Sequence, residues 1–198
     1  MNTLVSLHNS IFSQIERMQG WLVPTLARLV FAGVLLIYFW NSAMTKLGTG
    51  ISGIFTPSDG AYAQIFPRAL EAAGYDSSQL GAFHWLVATA GTWAEFLLPL
   101  LIVLGLLTRI AALGMIGFVV MQSLTDIVGH GADGDTIGGW FDRFSDAHIV
   151  DQRAFWVFLL IVLVVRGAGP LSLDRLFARQ ASSGRTAASA STPPRPHI

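Results

Sequence analysis

A chain of 198 residues with 53% hydrophobic and only 12% charged side chains, at a mean hydropathy of +0.56, falls outside the composition of soluble domains, where about a quarter of residues are charged. Its 12 basic and 12 acidic residues balance, so net charge gives no attraction to nucleic acid. The absence of cysteine excludes disulfides, thiol redox chemistry, iron–sulfur clusters and covalent c-type haem, so any electrons handled here move on a bound organic or metal group.

Residues 1–21 read as an amphipathic helix lying on a membrane surface. Leu4, Leu7, Ile11, Ile15, Met18 and Trp21 recur at spacings of three and four, with Asn2, Ser6, Asn9, Ser13 and Glu16 on the other face. A cleaved signal peptide fits less well, because the apolar run comes late and is too long for an h-region.

The first span is expected over 22–44, long enough at about 1.5 Å per residue to cross a hydrocarbon core of about 30 Å. Pro24 falls in its first turn, where a missing N–H costs nothing, and Tyr38, Phe39 and Trp40 form an aromatic belt before Lys46. A loop over 47–83 follows. Its stretch AYAQIFPRALEAA suggests one short amphipathic helix able to cover the bundle as a lid. The second span is expected over 84–107, with Pro99 as a kink and small residues at Ala88, Thr92, Ala90 and Ala94 for close packing.

A very short turn at Leu107-Thr108-Arg109 leads into a third span over 110–128, with Gly114 and Gly117 for close approach and Gln122 as its polar exception. An Asp-rich loop runs to 153, and a fourth span covers 154–173. From 178 a Ser-, Ala- and Pro-rich tail has the composition of a disordered segment. The fold class is therefore all-α: an antiparallel four-helix membrane bundle over 22–177 with an interfacial helix before it.

Charge sets the orientation. The side with the termini and the 108–109 turn carries 8 cations against Glu16 and Asp174, and the side with the two large loops carries 4 against nine carboxylates. Cytoplasmic termini in a bacterial-type inner membrane and outward-facing loops follow.

Several motifs recur in order across the four spans: Arg28-Leu29 with Gly33, Lys46-Leu47, Glu95, GLLTRIAAL at 105–113, His130-Gly131, and GPLSLD at 169–174. In these the chain resembles the DoxX family of small four-helix membrane proteins, with an unusually Asp-rich 124–153 loop. The resemblance implies a four-helix fold. It also implies association with quinone-dependent sulfur oxidation, oxidative-stress complexes or metal-stress clusters.

One carboxylate inside a span needs a reason, since charge in a bilayer costs at least a few kcal/mol. Glu95 is twelfth in its span, which places it about 16 Å below the outer end and level with Gly33 of the first span. Arg28, about 7 Å further in, is then within reach of it. Glu95 and Arg28 are the candidate catalytic pair at a quinone site, the carboxylate passing protons. Trp93 is a candidate stacking surface, and Asn41, Lys46 and Gln122 are candidate donors to quinone carbonyls. The structural alternative is a helix-joining ion pair. His130, His148 and His84, with the loop aspartates, are candidate metal ligands, and His84 with His130 is a candidate haem pair, although no ligand-spacing motif is present. A solvated acidic loop is the plainer reading.

Three functions follow as expectations: a membrane subunit of a quinone-linked oxidoreductase or redox-stress complex working with a protein partner or as a homo-oligomer, a non-catalytic scaffold anchoring a partner through its outer loops, and a metal or proton transporter.

Overall fold

The computed structural model describes residues 2–180, and the tail beyond lies outside the described residues. The secondary structure described is helical, apart from one isolated bridge between Leu47 and Pro57. Four helical rods are long and apolar enough to cross a membrane, at Thr3–Lys46, Ala82–Leu104, Thr108–Gly129 and His148–Arg166.

The first rod is α1 (Asn2–Phe31), a π turn (Ala32–Leu36) and α2 (Ile37–Lys46). The amphipathic segment is helical as expected, but it runs into the span without a turn at Trp21. Pro24 therefore sits inside α1, where its ring cannot donate to the Gly20 carbonyl. The Thr25 hydroxyl donates to the next carbonyl, Trp21 O, at 2.6 Å.

The first loop holds α3 (Asp59–Ile65) and α4 (Pro67–Ala72), where the sequence suggested one helix. Pro67 divides them. The residue before proline is driven out of the α region, and Phe66 duly has φ −128° and ψ 54°. Ala61, Tyr62 and Leu70 bury themselves against Ala88 in a small second core, so the loop packs on the outer part of α5 (Ala82–Leu104).

After α5 the chain turns at Gly105 (φ +69°) into α6 (Thr108–Leu124) and a second π turn (Thr125–Gly129). The second loop carries a single helical turn, α7 (Gly134–Ile137). A third π turn (His148–Gln152) enters α8 (Arg153–Arg166). The fourth rod thus lies earlier than the expected 154–173. It stops at Arg166 because Gly167 and Gly169 take φ +73° and +76°, values that end a helix.

Neighbouring rods pack first against second, second against third, third against fourth and fourth against first, closing a four-helix ring. Phe31, Leu35, Phe39, Ile102, Met115, Val119, Leu160 and Leu163 fill its centre, all buried. Lipid-facing side chains such as Leu29, Val34, Ile110, Phe155 and Phe158 are exposed by contrast. That inversion of the soluble pattern belongs to a protein whose solvent is hydrocarbon.

Candidate functional site

α5 starts well beyond the end of α2, and that offset determines which residues meet. Trp40 donates to the carbonyl of Phe96 at 3.2 Å, which puts residue 40 level with 96. Towards its start α5 is flanked by the loop as well: Trp85 and Trp93 donate to the carbonyls of Phe55 and Ile54.

Lys46, the last residue of α2, consequently arrives beside Glu95. Its Nζ lies 3.0 and 2.9 Å from the two carboxylate oxygens and 2.7 Å from Ser42 Oγ, which itself donates to Glu95 at 3.2 Å. Lys46 and Glu95 are 5% and 3% exposed, so both charges have left solvent and each is balanced by the other.

The Arg28–Glu95 pair and the alignment of Glu95 with Gly33 are thereby corrected, since Glu95 meets Ser42 and Lys46 instead. Arg28 lies two turns of α5 nearer the terminal face. Its guanidinium donates to the carbonyls of Ile102 at 3.0 Å, Val103, Ala168 at 3.0 Å and Leu171 at 2.5 Å. Ile102 and Val103 are among the last carbonyls of α5, which lack partners within their helix. Asp174 works on the same junction, accepting the amides of Leu107 (2.7 Å) and Thr108 (3.1 Å) that open α6. Arg28, Gly105 and Asp174 come from three separate sequence motifs and form one clasp. A Cβ on Gly105 would stand 2.5 Å from Ser172 Cβ and 2.9 Å from the Arg28 guanidinium carbon.

The Lys46–Glu95 pair borders a cavity of about 490 Å³ between α5 and α6. Small residues make the room: Ala90, Gly91 and Ala94 on one helix, Gly114 and Gly117 on the other. Gln64, Ile65 and His130 reach it from the loop side, so the first loop does contribute to covering it. Gln122 lines it too. Its amide nitrogen donates to Tyr38 Oη at 3.1 Å, while its buried Oε1 has no partner. An unspent acceptor and a lysine-held carboxylate thus line one largely apolar cleft of ligand size.

The DoxX family model matches residues 23–125, over half of the chain. The chain belongs to the DoxX family. No curated protein and no solved structure gives a match. The DoxX match spans Arg28, Lys46, Glu95 and Gln122, that is, the clasp's arginine and three of the polar residues of the cavity, and stops before Asp126 and His130. It ends at the second π turn, short of α8.

Other residues singled out from the DoxX sequence disperse. Trp93 turns to the loop at Ile54, and Asn41 is exposed; neither lines the cavity. The three histidines are not brought together as ligands. His84 packs edge-on against Phe66 with ring centroids 4.8 Å apart, His130 bonds the Gln64 carbonyl at 3.0 Å, and His148 bonds Gln152 at 3.0 Å. Among the described residues no three His, Asp or Glu side chains are grouped to hold a metal ion.

A second ion pair, buried at its arginine and half-buried at its carboxylate, carries no signal in the sequence. Arg153 meets Asp126 at 2.5 Å and Ser123 Oγ at 2.9 Å. Both residues lie in segments that read as loop or span entry, with no spacing signal linking positions 27 apart.

Proposed function

We propose that this DoxX protein is the membrane subunit of a quinone-linked oxidoreductase, binding the quinone head group in the cavity beside Lys46 and Glu95. The observation that carries the reading is a buried lysine–carboxylate pair bordering an apolar cleft inside a membrane bundle. Glu95 supplies a titratable oxygen and Gln122 Oε1 an acceptor for a hydroquinone hydroxyl, while Lys46, its N–H groups shared between Ser42 and Glu95, fixes the carboxylate. In this reading the electrons come from a protein partner. Excess arginine on the terminal side supports a reading with both termini in the cytoplasm of a bacterial-type inner membrane.

Gly117 offers a clean test, because a Cβ there meets nothing within 4 Å. Gly117→Leu fills the cavity and leaves the ion pair intact. Quinone co-extracted with the purified protein, and its redox signal, should fall in Gly117→Leu and in Glu95→Gln. Retention of bound quinone by both variants sinks the reading.

One observation favours the scaffold alternative. Trp140, Phe141 and Phe144 crowd the second loop at 69%, 102% and 61% exposure, an apolar tip suited to a partner. If changing all three to Ser abolishes partner capture while cavity variants are silent, the scaffold role is the principal one.

A further inference from the structure

Three of the four rods contain a π turn, and all three turns line one second cavity of about 450 Å³. Val34 and Leu35 come from the first turn, Asp126 from the second, and His148, Ile149 and Gln152 from the third. A π turn gives up regular helical bonding for an added residue, so it persists where something compensates, and such turns recur at functional sites. Three of them meeting at one cavity marks the place where this bundle departs most from regular packing.

The same cavity is lined by Arg153, 8% exposed, whose Nη1 and Nη2 are taken by Ser123 and Asp126. Its Nε has no partner. A buried guanidinium N–H left unpaired is costly, so a ligand oxygen at this point is favoured. The charge balance selects the kind of oxygen. Asp126 already neutralises Arg153, and no other Asp, Glu, Lys or Arg lines the cavity, whose His148 is bonded to Gln152. An anionic group would lie beside the Asp126 carboxylate with no free cation to hold it. An uncharged acceptor meets neither penalty. The remaining wall is apolar at Leu35, Ile149 and Trp156 and polar but not acidic at Tyr38, Thr136, His148 and Gln152. Val34, 60% exposed, lines the cavity and reaches the outer surface of the first rod.

We infer that this second cavity binds an uncharged amphiphile whose carbonyl oxygen accepts the Arg153 Nε–H, its apolar body lying against Val34, Leu35 and Trp156. A membrane quinone and the ester of a neutral lipid share that chemistry. The inference is independent of what occupies the cavity at Lys46 and Glu95, with which this one shares only the Asp126 wall.

The test uses the full chain in detergent micelles and a dioctanoylglycerol probe carrying a diazirine on one acyl chain, with labelled residues mapped by mass spectrometry. Labelling should concentrate around Val34 and Trp156. Loss of the single hydrogen bond in Arg153→Lys should lower it about tenfold. Because that variant also disturbs the ion pair, Val34→Trp is the second arm: it fills the cavity from the Val34 wall and leaves Arg153 and Asp126 in place, and it should abolish labelling without moving the melting temperature. Competition by decylbenzoquinone assigns the carbonyl to a quinone, and competition by dihexanoylglycerol alone assigns it to a lipid ester. Labelling spread evenly over the lipid-facing surface, indifference to Val34→Trp, or stronger competition by the anionic dihexanoylphosphatidylglycerol than by either neutral compound overturns the inference.

Discussion

Lys46 Nζ sits 2.9 Å from Glu95 Oε2, and the two side chains are 6% and 3% exposed. A terminal lysine of one rod neutralises an interior carboxylate of the next because α5 overhangs α2. Breaking such a pair from one side strands a charge. Lys46→Ala should destabilise the bundle by about 3–5 kcal/mol, whereas Lys46→Met with Glu95→Leu should recover most of that loss. Thermal unfolding in detergent measures both. Bound-quinone signal in the double variant separates the roles: a purely structural pair keeps it, and a quinone-contacting pair loses it.

The clasp at the terminal face should behave as a unit. Gly105→Ala forces a side chain into the left-handed region, at about 1–2 kcal/mol, and pushes it against Ser172 and Arg28 as well. A melting temperature unchanged by Gly105→Ala would show that the junction is slack.

Asp174 caps α6 across 66 residues of chain. Asp174→Ala leaves the Leu107 and Thr108 amides without that acceptor, and a cap of this kind is worth about 1 kcal/mol. Hydrogen exchange at those two amides should accelerate while exchange in the middle of α6 stays slow. Uniform acceleration along α6 would argue against a local cap.

Two loop carboxylates predict an acid-side effect. Asp76 is held below the ordinary carboxylate range by the Ser78 hydroxyl and the Gln79 amide, and Asp133 by the backbone N–H of Thr136. A carboxyl depressed in the folded state contributes its full stabilisation above its unfolded pKa and loses it as pH falls through the folded value. Protection of the Ser78 and Thr136 amides should therefore be flat around neutrality and collapse only on acidification. Loss of protection on raising the pH instead would contradict the assignment.

Much of this was legible in the chain. Four apolar stretches, the turn at 107–109 and the position of the two large loops follow from residue type alone, because a bilayer admits few backbone arrangements and each requires about twenty apolar residues. Glu95 stood out for the same reason. Gly105, Arg28 and Asp174 were visible as separate motifs, without a sign that they touch. The end of the fourth rod was misplaced by seven residues, since Leu171 and Leu173 are apolar enough to extend a span and only the positive φ of Gly167 and Gly169 stops it.

The sequence by itself determined the class, the number of spans and the single carboxylate within the second span, all consequences of hydrophobicity read along one dimension. Which cation meets that carboxylate was decided by the tertiary structure. Span ends that look flush in sequence are offset by more than two turns, since α5 continues past α2 and takes its neighbours from the loop. The offset gives Glu95 to Lys46 and leaves Arg28 to bind carbonyls. The two cavities depend in the same way on small residues and π turns that only packing brings face to face.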